Sequence, residues 1–64
     1  MVKVNGENLN ISQKTVSDYL ALAGYDTNRV AVELNGNIVP KTQYSQTVLK
    51  DGDRVEVVSF VGGG

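Results

Sequence analysis

The sequence predicts an α+β fold in one domain: a mixed sheet of about five strands with one main helix packed on one face. Three observations carry that expectation. Short runs that alternate apolar and polar residues recur along the chain, punctuated by Asn5-Gly6, Asn35-Gly36 and Asp51-Gly52 turn pairs. One stretch, Val16, Tyr19, Leu20 and Ala23, instead repeats at i, i+3, i+4 and i+7, the period of a helix. Finally, 64 residues, 41% of them hydrophobic and 20% charged, suffice for one core and leave no room for a second.

Taken in order, Val2-Lys3-Val4 and Leu9-Asn10-Ile11 read as two short strands of a hairpin around Asn5-Gly6. That pair tolerates positive φ, because glycine has no Cβ to clash and asparagine visits the left-handed region. Thr15 is placed to cap the helix, its hydroxyl accepting from the Asp18 amide while the Asp18 carboxylate sits favourably in the first turn. The helix covers residues 16–23 and Gly24 stops it. Val30, Val32 and Leu34 then share the inner face of a β-branched strand, and Asn35-Gly36 turns it into Ile38-Val39, which Pro40 ends.

Residues 41–50 show no clean period, and Tyr44, Val48 and Leu49 are expected to reach the core from an irregular segment or a short 3₁₀ turn. After the Asp51-Gly52-Asp53 turn, residues 54–61 form the longest strand, with Val55 and Val57 facing inward and Val58 and Phe60 pointing away. Two hairpin strands, a crossing helix and later strands that complete the sheet describe a ubiquitin-like β-grasp. The expected division is a β-grasp domain over residues 1–61 and a flexible glycine tail over 62–64. A core of this size supplies only about 3–5 kcal/mol of net stability, so well-packed secondary structure has to suffice.

Composition removes most chemistries. With no cysteine and no histidine, the chain lacks disulfides, thiol nucleophiles, thiolate or imidazole metal ligands and the commonest general base. Six basic against seven acidic residues give a formal charge of -1, which argues against a nucleic-acid partner. No apolar run approaches the ~18 residues that cross a bilayer, and no secretory leader is recognisable, so a cytoplasmic chain without a membrane partner is expected.

The most informative feature is Gly62-Gly63-Gly64. A frayed end explains it blandly. The functional explanation is that a backbone without side chains lets a terminal carboxylate enter a narrow channel in a partner. Such a carboxylate is ionised at neutral pH and requires activation, by adenylation, before anything is attached to it. Three extended glycines reach only roughly 10 Å, so the domain must dock close to the partner's active site. Val58 and Phe60, apolar residues on an open sheet face beside that tail, are the expected partner-binding patch. The alternative is that loop residues cover them.

Other constellations fail. Asp51, Asp53 and Glu56 lack the spacing of a calcium loop and fit turn chemistry instead. The terminal glycines open no helix and carry no lysine, unlike a phosphate loop. Lys14, Lys41 and Lys50 read as solvated surface charge. No catalytic or metal-binding residue is therefore expected.

Asn5-Gly6-Glu7, Thr15-Val16, the block Val30 to Pro40, Asp51-Gly52-Asp53-Arg54-Val55-Glu56 and the final Gly63-Gly64 together resemble the ThiS family of sulfur carriers in thiamine biosynthesis. The likeness covers the whole chain. It implies a β-grasp protein that is a substrate of enzymes and no catalyst itself. It further implies that the Gly64 carboxylate is adenylated by a ThiF-type activating enzyme using ATP and Mg²⁺, with no cofactor bound by the carrier. The resulting thiocarboxylate would give its sulfur to the thiazole synthase ThiG, the sulfur coming from cysteine through a desulfurase. Gly63 and Gly64 carry over as the working end, Gly62 lengthens the tail, and Phe60 lies where related carriers contact their activating enzyme.

Rival readings stay open on the sequence. The small subunit of molybdopterin synthase is a carrier of the same fold, but such chains are usually longer and have a proline-containing segment before Gly-Gly. A ubiquitin-like protein modifier would share every physical feature and differ only in the nucleophile that attacks the adenylate. A protein-interaction module would use the sheet and leave the tail idle.

Overall fold

The computed structural model describes residues 1–60. Its elements are β1 (Val2–Val4), β2 (Glu7–Leu9), α1 (Val16–Ala23), β3 (Val30–Leu34), β4 (Asn37–Val39) and β5 (Arg54–Ser59), with 3₁₀ turns at Thr27–Arg29 and Lys41–Gln43. The two Asn-Gly pairs set both hairpins. Asn5 and Gly6 have φ of 50° and 85°, Asn35 and Gly36 of 52° and 86°, the double positive φ that a two-residue turn needs to match the twist of its strands. Such a tight turn forces the next strand to begin at once, pairing Val4 with Glu7 and Val2 with Leu9. The second strand therefore covers residues 7–9, and the expected strand at 9–11 is corrected; Ile11 is buried but lies beyond it.

Helix α1 has the expected bounds, and its ends show why. Thr15 Oγ1 accepts from the Asp18 amide at 3.0 Å, and Asp18 Oδ2 accepts from the Thr15 amide at 3.3 Å, a reciprocal cap. The preceding two orphan amides are met from far along the chain: Val16 N donates to the Thr47 carbonyl (2.9 Å) and Ser17 N to that of Tyr44 (3.0 Å). At the other end Gly24 has φ 82°, and the Gly24 and Tyr25 amides donate to the carbonyls of Ala21 and Leu20. Val16, Tyr19 and Leu20 are buried as the period requires, whereas Ala23 is exposed. The chain reverses directly after Ala23, and Tyr25 packs against the core in its place.

The capping role explains residues 41–50. Their main chain serves the start of α1 and continues in an antiparallel bridge between Thr15 and Val48, so no regular period is imposed on the side chains. Tyr44 and Leu49 are buried as expected, but Val48 is 41% exposed. Adjacent residues of an extended segment point to opposite sides, so Val48 and Leu49 cannot both face inward.

The sheet order is β2-β1-β5-β3-β4, with β1 and β5 parallel and the other neighbours antiparallel. A five-strand mixed sheet carrying one main helix is the ubiquitin-like β-grasp, so the predicted fold class holds. Leu20, Leu49, Val2, Val16 and Val32 are the largest fully buried side chains, between the helix and one face of the sheet. No helix among the described residues is long and apolar enough to cross a membrane. Strand β5 ends at Ser59, short of the expected 61, although the Phe60 amide still donates to the Arg29 carbonyl at 2.7 Å.

Candidate functional site

Strand β5 lies at the centre of the sheet and leads to the chain's last residues, so what fixes β5 fixes the site. Two asparagines hold it from both sides. The Asn5 amide donates to the Val55 carbonyl (2.9 Å), after which β1 turns away; the Asn5 side chain then continues the ladder, Oδ1 accepting from Val57 N at 2.9 Å and Nδ2 donating to Val57 O at 3.2 Å. On the β3 side, Asn35 Oδ1 accepts from Arg54 N at 2.9 Å and Nδ2 donates to Asp53 Oδ1 at 3.0 Å. The same residue type that makes each turn thus also splices the turn onto the central strand.

Held in this way, β5 buries Val55 and Val57 and turns alternate residues to the face opposite the helix. Val58 is 56% exposed and Phe60 57% exposed, as the strand phase predicts, so no loop covers them. Register places Ala31 directly opposite Val58, and Glu33 opposite both Glu56 and Ile38. Ile38, exposed at 66%, therefore belongs to the same open face. Sequence reasoning missed it. Its alternation with buried Val39 was the available signal, but only the pairing of β4 with β3 shows which face it shares. Gly62, Gly63 and Gly64 lie outside the described residues.

Among the described residues no group of three or more Asp or Glu stands where it could hold a metal ion. Burial pushes the Tyr19 and Tyr44 hydroxyls above their ordinary range, with Tyr25 and Glu7 adding to the effect at Tyr19, so both remain neutral at physiological pH. The face presents exposed apolar residues, Val58 on β5 and Phe60 just beyond it, backed by the sheet.

The five-strand mixed sheet with one helix and an open apolar face defines a ubiquitin-like β-grasp protein. Comparison with known proteins gives the particular kind. The model of the ThiS family matches residues 2–64, and the chain belongs to that family, the sulfur carrier proteins of thiamine biosynthesis. It is 36% identical over 66 residues to the sulfur carrier protein ThiS of Bacillus subtilis, covering 100% of both chains. The crystal structure of the thiamine biosynthesis protein ThiS from Geobacter metallireducens superposes with a TM-score of 0.76 at 36% identity, covering 98% of this chain and 97% of that one. A thiazole synthase from Paramagnetospirillum magneticum is 48% identical over 62 residues; the match takes in 95% of this chain but only 19% of that protein's length.

Proposed function

We propose that this chain carries sulfur as a thiocarboxylate on Gly64 and delivers it for thiazole formation. A ThiF-type activating enzyme, using ATP and Mg²⁺, joins the Gly64 carboxylate oxygen to the α-phosphorus of ATP and releases pyrophosphate. A persulfide supplied by a cysteine desulfurase system then attacks the acyl carbon and displaces AMP, and a thiol reductant supplies the two electrons that cleave the resulting acyl disulfide, leaving the thiocarboxylate at the chain end. Thiazole synthase consumes that sulfur. The carrier binds no cofactor and acts as a substrate of the activating enzyme; we place it in the cytoplasm with its ATP-dependent partner.

The observation that carries this reading is the exposure of Val58 on β5 and of Phe60 just after it, four residues or fewer ahead of the run Gly62-Gly63-Gly64 in the sequence. A docking patch immediately before a side-chain-free end suits a protein whose main chain is the reacting group. Thiazole synthases that contain a segment similar to this chain support thiazole synthase as the receiving partner.

The test is intact-mass analysis after incubation with the activating enzyme, ATP, Mg²⁺ and a sulfur donor. Replacement of one oxygen by sulfur at the chain end is expected, and a variant lacking Gly63 and Gly64 should gain none while keeping its fold. Sulfur loading of the shortened variant would overturn the assignment to Gly64, and attachment to a lysine of another protein would make the chain a modifier.

A further inference from the structure

The open face of the sheet carries charge as well as apolar surface, and the strand register sorts both into rows. Counting back along β5 from the chain end, the first row pairs Val58 with Ala31. The second pairs Glu56 with Glu33 and continues to Ile38. The third pairs Arg54 with Lys3. Outward positions on a strand are two residues apart, so the rows stand about 7 Å from one another.

Each row sets like beside like, and in the two charged rows this is unfavourable within the isolated chain, because opposed like charges in a sheet repel. None of Lys3, Arg54, Glu33 and Glu56 forms an ion pair within 4.0 Å among the described residues. Lys3, Arg54 and Glu56 are exposed and Glu33 is half-buried, so all four are open to groups of a partner. A depression of about 300 Å³ lined by Glu33, Asn35, Gly36, Arg54 and Glu56 spans the boundary between the acidic and basic rows and gives an incoming side chain room there.

We propose that these rows orient the carrier on its activating enzyme. The partner surface would present an apolar recess nearest its active site, a basic group about 7 Å further out to meet Glu33 and Glu56, and an acidic group beyond that to meet Lys3 and Arg54. An apolar patch alone fixes position but hardly fixes rotation, since burial is non-directional. Ordered charges supply the rotation: with the carrier turned about its apolar patch, Glu33, Glu56, Lys3 and Arg54 would all swing away from the partner groups that meet them in the correct orientation. Rotation matters because the chain end must point into the active site, not along the surface. This inference rests on the carrier reading above.

The test exchanges the two charged rows in a Lys3→Glu, Arg54→Glu, Glu33→Lys, Glu56→Lys variant, which conserves net charge while reversing the order of the rows. Its dissociation constant for the activating enzyme is measured by titration at low salt, alongside adenylation of the wild-type chain. At least tenfold weaker binding is expected. Should the exchanged variant fold poorly, the uncharged Glu33→Gln, Glu56→Gln variant serves, with at least threefold weaker binding expected. Unchanged affinity in a folded variant, with wild-type adenylation intact, overturns the orienting rows and leaves the carrier reading standing. A wild-type chain that neither binds the enzyme nor is adenylated overturns both.

Discussion

Replacing Asn5 tests the splice between the first turn and the central strand. Its side chain exchanges two hydrogen bonds with Val57, 52 residues away, and its own φ of 50° is one that few residues tolerate. Asn5→Gly keeps the turn conformation and removes both bonds, so a loss of about 1–2 kcal/mol is expected in denaturant unfolding. Asn5→Ala should cost about 1 kcal/mol more, the difference being the left-handed backbone penalty. A neutral Asn5→Gly variant would show that the side chain contributes nothing beyond its turn. Local chemistry of this kind is only half legible in sequence. The positive φ at Asn5 and Asn35 is announced by the glycine that follows each, as the Thr15 cap is announced by Asp18. The bonds from Asn5 to Val57 and from Asn35 to Arg54 cross 52 and 19 residues and need the folded register to be seen.

At the scale of elements, β5 combines a buried side that alternation reveals with an outer side that it describes incompletely. Val58 lies on the open face, as strand phase, a property of one segment, predicts, and Phe60 beyond the strand end is exposed as well. The rows containing Ala31, Glu33, Ile38 and Lys3 depend on which strands neighbour β5 and in what register, which no single segment encodes. The same limit applies to residues 41–50, whose main chain is committed to the start of α1 through Thr47 and Tyr44, and to β2, whose start is dictated by the turn rather than by its own apolar pattern. Direct opposition of Glu33 and Glu56 has a consequence for β5 itself. Glu56→Gln keeps the shape and removes the repulsion, so it should stabilise the free chain by roughly 0.2–1 kcal/mol at low salt. The gain should shrink as salt screens the pair in the wild-type chain. A variant less stable than wild type at every salt concentration would refute the repulsion.

For the whole molecule, the core determines how stability depends on pH. Tyr19 and Tyr44 are both buried, and burial raises both pKa values above 10.0. In the unfolded chain the hydroxyls ionise near the ordinary value, so above it the unfolded state holds fewer protons than the native one, and stability falls as pH rises. The contribution is complete below about pH 10 and is lost through the alkaline range above it. Urea midpoints measured across that range should decline in the wild-type chain and decline less in a Tyr19→Phe, Tyr44→Phe variant; parallel curves would contradict the assignment.

The bond from the Phe60 amide to the Arg29 carbonyl sets a limit on any machinery that works at Gly64. It is the last main-chain tie among the described residues, and four residues follow it in the sequence. Fully drawn out, four residues cover at most about 14 Å. On the carrier reading proposed above, an enzyme that clasps the sheet through Val58 while this bond stays closed must keep its nucleotide within that radius of Phe60, so a single hydrogen bond in the guest bounds the depth of its pocket.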